Sequence, residues 1–528
     1  MTSHAEDPLT QDRSRSSAPP ADVPAPPPHG EASERALTPA GGSGPQPPRA
    51  VDRLPGWLWL ALGTTATLLT GPRWGVALLA WVAMVPYLLY ARTARTWRSW
   101  LALLAVLLLA YPLQLLQIIT PPIPAALAIP FGVPAAVGAF VMLGYVELVR
   151  RRAGELTALA GFAALVAVLD WAGYGLSPLG AWSTTANSQV EQLGLLQLAS
   201  VAGLWGIGLA MAWVNATVAY LIAAPRPVRR APALVAALGM LAVLLAGALR
   251  VERAVGGKAL TVAAVVTDLG LSEGLPADAA LAANTEVLFE RTRVAAARGA
   301  RLVVWNEAAT LVAPEEEERL LARARAQARA LRIDLVLAYA VIVSTSPLAL
   351  DNQYALVTSE GEVAHRYRKH HPVPGEPSLR GTAPIEVITR PYGKIAGAIC
   401  YDYDFPVLAR QHAQLDADLV VVPASDWRGI DPVHTLMARV RAIEGGFSVL
   451  RATRWATSAA FDPHGQIRGW MSVTEDNDRI MIASVPIGRI RTVYAAIGDA
   501  PVALAGLGVL VALGLALRRG GRAASPAR

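Results

Sequence analysis

Between residues 54 and 249 the chain is a succession of apolar runs, each near the length needed to cross a lipid bilayer, separated by short arginine clusters. A hydrocarbon layer of ~30 Å takes about 20 helical residues to cross. Inside it the backbone must satisfy its own hydrogen bonds, which leaves helices or closed barrels as the only spanning structures. Seven runs are read as transmembrane helices, at 54–71, 75–91, 99–119, 122–146, 157–178, 194–222 and 232–249, and an eighth at 501–517. Composition agrees: 53% of the residues are hydrophobic and 16% charged, against roughly 25% charged in soluble globular chains.

The arginines orient the array. Arg92, Arg95 and Arg98 follow the second run, Arg150, Arg151 and Arg152 the fourth, Arg226, Arg229 and Arg230 the sixth, and Arg518, Arg519 and Arg522 the eighth. The alternate connections carry almost none. By the positive-inside rule both termini are expected in the cytoplasm and the segment 250–495 outside the cytoplasmic membrane. The same clustering accounts for the net charge of +7 and argues against a nucleic-acid partner, since only Lys258, Lys369 and Lys394 among the 47 basic residues are lysines. One cysteine cannot form an internal disulfide.

Residues 1–50, rich in Pro, Ala, Ser and Gly, lack apolar periodicity and are expected to be a disordered cytoplasmic tail, with a second tail at 518–528. The domains expected between them are a seven-helix membrane domain at 54–249, a catalytic domain at 250–495 and the eighth helix at 501–517. Within 250–495, strand-like runs at 259–266, 302–305, 335–341, 354–358, 395–400, 419–423, 448–453 and 480–485 alternate with helical ones at 276–298, 314–331, 406–415 and 434–444. That alternation predicts an α/β domain.

Three polar residues in this domain could carry chemistry. Glu307 closely follows the run 302–305, Cys400 ends the run 395–400, and Lys369 follows a strand-like stretch. Strand ends are where a rigid sheet positions a side chain and a loop exposes it. A thiolate can attack an acyl carbonyl, a carboxylate can take and return the proton, and an ammonium can hold the oxyanion. By default, however, a lone cysteine after an apolar strand is a small buried hydrophobe, and Glu307 and Lys369 are solvated charges. Against that default, lysine is nearly absent from this chain, yet it stands at 369 between arginines and histidines. A compact ammonium is not interchangeable with a guanidinium fork. The neighbours His370 and His371 do not have metal-ligand spacing, and neither a metal nor a cofactor is expected. Asp170, inside an apolar run, is a costly acid and a candidate for function or for helix anchoring.

Taken in order, these segments resemble the nitrilase superfamily, and within it the membrane-bound branch, the apolipoprotein N-acyltransferases. Trp305, Asn306 and Glu307 are similar to Trp-Pro-Glu. The stretch from Tyr367 through Lys369, Pro374 and Gly375 to Glu376 resembles Tyr-x-Lys-x-His-Leu-Val-Pro-Phe-Gly-Glu. Cys400, Tyr401 and Asp402 resemble Cys-Tyr-Glu, and Ser425, Asp426 and Trp427 resemble Asn-Asp-x-Trp. The segment from Met437 to Glu444, Gly498 with Asp499, and Asp170 with Trp171 also fit. Departures are Asn306 for Pro, the missing Phe before Gly375, Asp402 for Glu, Thr267 in a segment that usually reads Gln-x-Asn, and Arg454, Trp455 and Ala456 where Asn-Asn-Gly is usual.

The resemblance implies a polytopic α-helical membrane domain of about eight transmembrane helices carrying an extracytoplasmic α/β domain, a nitrilase-like α-β-β-α sandwich. It implies a Glu307–Lys369–Cys400 triad, with Glu376, Tyr401 and Asp402 in support and Trp305 and Trp427 against substrate. The implied reaction moves an acyl chain from a phospholipid donor through a cysteine thioester to the N-terminal amine of a diacylglyceryl-cysteine lipoprotein in the bacterial inner membrane, a monomer being sufficient. Two alternatives keep the fold: a membrane-anchored carbon-nitrogen hydrolase (an amidase) acting on another amide, and a non-catalytic scaffold.

Overall fold

A computed structural model of the chain describes residues 54–223, 230–270 and 275–522, without the side chains of Ser183 and 519–522. The expected tail at 1–50, the end of the tail at 523–528, and Arg226 and Arg229 lie outside the described residues.

Among the described residues six helices are long and apolar enough to cross a membrane: Trp97–Leu115, Ala125–Ala153, Glu155–Leu176, Ala199–Ala223, Ala231–Val251 and Ala500–Arg518. The last of them continues to Arg522, so the expected C-terminal tail begins as helix. The run at 54–71 forms a helix of 14 residues, Gly56–Leu69, below that length. The run at 75–91 is not one helix. It divides into a single 3-10 turn, Leu79–Trp81, and a short helix, Val85–Thr93. Pro86 lies in the first turn of the short helix, where its missing N–H does no harm and its fixed φ favours a helix start.

The helix Ala199–Ala223 is broken near its start. Gly203 has φ +66° and ψ −175°, a region open only to glycine. A Cβ there would meet the Tyr494 ring at 2.5 Å. The N–H of Leu204, released by the break, is satisfied by Glu444 at 2.9 Å.

The α/β part contains two sheets. The first runs in the order Ile480–Ile487, Lys258–Val265, Leu302–Trp305, Asp334–Thr345, Leu348–Val357, Val363–Arg368, with the short strand Leu311–Val312 also paired to Asp334–Thr345. The second runs Ile467–Met471, Ser458–Phe461, Ser448–Arg454, Leu419–Ser425, Gly393–Gly397, Ile388–Arg390. Three consecutive strands are parallel at the centre of each. A strand buried on both faces is apolar at every position, because successive side chains point to opposite faces. In Leu419–Ser425, Leu419 and Val421 pack with the residues of the first sheet, whereas Val420 and Val422 pack with the helix Val433–Gly445 and with membrane-helix residues such as Ile207. Helices Asp278–Ala297 and Glu317–Leu331 cover the outer face of the first sheet through Leu288, Phe289, Leu321 and Ala324.

One boundary matters for the site. The expected strand at 395–400 ends at Gly397, and Cys400 opens a 3-10 turn, Cys400–Asp404. Pro406 then starts the next helix.

Candidate active site

The ends of the parallel strands from both sheets converge. Glu307 follows Leu302–Trp305, and its backbone N–H donates across to the carbonyl of Ala424 in the other sheet at 3.3 Å. Lys369 follows Val363–Arg368, held by N–H donation to the Asn352 carbonyl at 2.9 Å. Its side chain is 1% exposed. The ammonium donates to Glu307 Oε1 at 2.7 Å and to Glu376 Oε2 at 2.6 Å. Asn352 donates to the same two carboxylates, at 2.8 Å and 3.2 Å. Glu376 also accepts from the backbone of Val373 at 2.9 Å and from the Ser378 hydroxyl at 2.5 Å. Burial works to neutralise the Lys369 ammonium, but the charges of Glu307 and Glu376 outweigh it and hold its pKa well above the usual lysine value. Burial likewise pushes Glu376 up, and Lys369 brings it back below an ordinary glutamate.

Cys400 is 3% exposed, with φ +48°. A non-glycine residue with a left-handed backbone is costly and persists where the surroundings impose it. Here the imposing group is Asp402. It is fully buried and accepts from the backbone N–H of Ile399 at 3.0 Å, from the Tyr367 hydroxyl at 2.8 Å and from the backbone N–H of His371 at 2.7 Å. One carboxylate thus ties the cysteine turn to the lysine loop. The thiol donates weakly to the Ser425 carbonyl at 3.6 Å. Burial, then the Glu307 charge, push its pKa well above an ordinary cysteine, with Lys369 opposing. The resting thiol is therefore protonated and needs a base to become a nucleophile.

Behind Cys400 lies a charged network that the sequence reading did not single out. Arg451 grips Asp426 with both Nη atoms, at 2.8 Å and 3.0 Å. His434 bridges Asp426 at 2.8 Å and Asp404 at 2.9 Å. Burial disfavours its charge, yet the two carboxylates raise His434 to about 9. Donor atoms of Cys400, Asp426 and His434 fall within 4.8 Å of one another. They do not fit a metal: both oxygens of Asp426 are held by Arg451, and His434 is a cation with both nitrogens engaged. The polar run Asp351, Asn352, Gln353 inside an otherwise apolar strand was a legible signal for Asn352.

The remaining expected residues divide. Tyr401 reaches the membrane part, its hydroxyl donating to the Pro178 carbonyl. Trp427 donates its indole N–H to the Ile118 carbonyl at 2.6 Å and is half-buried. Trp182 donates to Asp404 at 2.8 Å, so three side-chain bonds join the two parts beside the cysteine turn. Trp305 does not line the site. It is fully buried against Phe289, with its N–H on Thr292 at 2.9 Å, because strand alternation turns it toward the helix layer. Asp170 accepts from the Thr184 hydroxyl at 2.6 Å, a helix-to-loop anchor. Asn306, in the place of proline, accepts from the Thr267 N–H at 2.8 Å and donates to the Glu307 carbonyl at 3.0 Å, bracing the turn that proline would stiffen.

Comparison with known proteins adds an independent line. A family model described as carbon-nitrogen hydrolase matches residues 256–495, and one described as the N-terminal domain of apolipoprotein N-acyltransferase matches residues 62–217. The chain is 25% identical over 507 residues to an apolipoprotein N-acyltransferase of Geobacter metallireducens, covering 88% of this chain and 95% of the relative. It is 28% identical over 437 residues to one of Bradyrhizobium diazoefficiens, covering 74% and 78%. A deaminated glutathione amidase of Mus musculus is 34% identical over 116 residues, which is 20% of this chain and 36% of that one.

Proposed function

The chain belongs to the apolipoprotein N-acyltransferases, the nitrilase-superfamily enzymes that are built into a membrane, and from that premise we propose that Glu307, Lys369 and Cys400 carry its acyl transfer. The activity is N-acylation of a lipoprotein, with a phospholipid as donor, both substrates meeting in the membrane. The alternatives, a membrane-anchored amidase acting on another amide and a non-catalytic scaffold, are not favoured, because the relatives matched over most of the chain are apolipoprotein N-acyltransferases.

In the proposed sequence Glu307 takes the proton of the Cys400 thiol as its sulfur attacks a phospholipid ester carbonyl. The ammonium of Lys369 and the backbone N–H of Tyr401 stabilise the oxyanion. The C–O bond breaks, the lysophospholipid alcohol leaves with the proton from Glu307, and a thioester remains. The lipoprotein amine then attacks the thioester, Glu307 takes the amine proton, the C–S bond breaks and the thiol is restored. Glu376 and Asn352 fix Lys369 and Glu307 throughout. Asp402 holds the cysteine turn, and Trp427, at the seam between the two parts, lies beside the path of the substrate. Excluding water protects the thioester from hydrolysis, which suits a nucleophile only 3% exposed.

The boundaries follow the same reading: membrane helices over 54–249, the catalytic domain over 250–495, and a further helix over 501–517. Arginine bias supports a catalytic domain on the extracytoplasmic side of the inner membrane. One copy holds all the groups named, so a monomer suffices.

The observation that carries this reading is the buried Lys369 between Glu307 and Glu376, beside a cysteine in a left-handed turn. The test is the intact mass of the purified protein after incubation with phospholipid, with Cys400→Ala as control. An acyl adduct released by hydroxylamine and missing from the control is expected. A folded wild-type protein that never gains the adduct would sink the reading.

A further inference from the structure

Arg454 ends the strand Ser448–Arg454, three positions after the Arg451 that binds Asp426, and is 3% exposed. Its partners among the described residues are all neutral. Nε and Nη2 donate to the Ser425 hydroxyl at 3.1 Å and 3.0 Å. Nη1 donates to the carbonyls of Leu269 at 3.0 Å and Ala308 at 3.4 Å. The Trp455 ring covers the guanidinium at 4.6 Å. A buried cation without a carboxylate partner is expensive, and packing alone would be served by an apolar side chain.

The position of those partners says what the charge does. Ser425 is the residue whose carbonyl receives the Cys400 thiol. Ala308 is the neighbour of Glu307 and has φ +42°, itself a left-handed turn. Leu269 lies in the loop after Lys258–Val265. One planar fork therefore ties together three strand ends from two sheets, two of which carry the proposed base and the carbonyl that the Cys400 thiol hydrogen-bonds. Only a guanidinium supplies this many donors in a fixed plane. Arg454 also exchanges charge interaction with Glu307 and Cys400.

We propose that Arg454 is a positioning residue for acyl transfer: it clamps the Glu307 turn to the Ser425 end of the cysteine pocket and supplies a fixed positive charge to that pocket. The proposal rests on the Glu307–Lys369–Cys400 reading.

The experiment compares wild type, Arg454→Met, Arg454→Lys and Glu307→Gln. It follows thioester formation from phospholipid by intact mass, the pH profile of Cys400 alkylation, and melting in detergent. Loss of alignment at a reacting pair can cost about a hundredfold, so Arg454→Met is expected to slow thioester formation by roughly 10- to 100-fold and to shift the alkylation profile to higher pH. Arg454→Lys keeps the charge and loses the fork, so its profile stays near wild type while acylation remains slow. That split is not produced by a merely structural role. Should Arg454→Met not fold, Arg454→Lys alone decides: wild-type acylation in it overturns the clamp. Wild-type rate and profile in a folded Arg454→Met overturn the proposal while leaving the triad standing, provided Glu307→Gln is impaired. Wild-type acylation in Glu307→Gln overturns the triad reading, and this proposal with it.

Discussion

The backbone N–H of Leu204, inside a membrane helix, donates to a carboxylate oxygen of Glu444 in the catalytic domain at 2.9 Å. The bond exists because Gly203 breaks the helix and releases that N–H. Glu444 is buried and also pairs with Arg441 at 2.7 Å. A helix break facing a buried carboxylate thus couples the lipid-embedded part to the sheet that bears Cys400, through the helix Val433–Gly445.

Gly203→Ala is therefore expected to destabilise the protein. An alanine must adopt a backbone conformation worth roughly 1–3 kcal/mol of strain, and its Cβ collides with Tyr494. Melting in detergent checks this. An unchanged midpoint would mean that the helix can straighten and that the junction is adaptable.

Removing Lys369 differs from removing Cys400, although both are expected to abolish acylation. Lys369→Met leaves the buried Glu307 and the half-buried Glu376 without their counter-charge. Stranding buried charges in this way costs about 3–5 kcal/mol. Cys400→Ala removes only a small side chain and relieves no charge. Thermal unfolding of the two variants side by side is expected to show a large loss for Lys369→Met and little for Cys400→Ala. Equal stabilities would contradict the buried ion cluster.

His434 gives the fold a pH dependence. Asp404 and Asp426 face its two nitrogens, Arg451 lies beside it, and the Trp182 ring packs at 5.5 Å. Its folded value of about 9 lies above the roughly 6.5 of an exposed histidine. A raised histidine binds its proton more tightly when folded, so its contribution is complete below about pH 6.5 and disappears as pH rises through about 9. That contribution is on the order of 3 kcal/mol. Unfolding midpoints between pH 6.5 and 9 are expected to fall, and His434→Gln to flatten the fall. A His434→Gln profile parallel to wild type would assign the trend to other groups.

The sequence made the membrane helices readable because hydropathy and arginine placement are local, one-dimensional signals. It misplaced the run at 75–91 because average hydropathy is blind to Pro86, which sets where a helix can start. The strand positions were legible from apolar runs, yet Cys400 was taken for a strand end when it opens a turn, since Ile399 is as apolar as the strand before it. Trp305 was grouped with Glu307 by adjacency, but the strand ends at Trp305, which packs on the helix layer against Phe289, and Glu307 lies in the turn beyond it. Asp426, His434 and Arg451 were not assembled beforehand, since the contacts joining them to one another and to Asp404 span 8 to 30 residues of sequence and depend on how two sheets pack.

The last expectation separates the reactivity of Cys400 from its catalysis. Burial and then the Glu307 charge raise the thiol, while Lys369 lowers it. Neutralising Glu307 removes one raising influence and leaves Lys369 charged by Glu376, so both changes favour the thiolate. Glu307→Gln is therefore expected to alkylate faster than wild type at pH 8, with its profile shifted to lower pH. Acyl transfer, which needs a base to take and return protons, is expected to fall by roughly 100- to 10,000-fold in the same variant. Rates of iodoacetamide labelling and of thioester formation, measured on one preparation, check both. Slower labelling in Glu307→Gln would mean that Glu307 acts as a base toward any electrophile and that its charge does not set the resting state of the thiol.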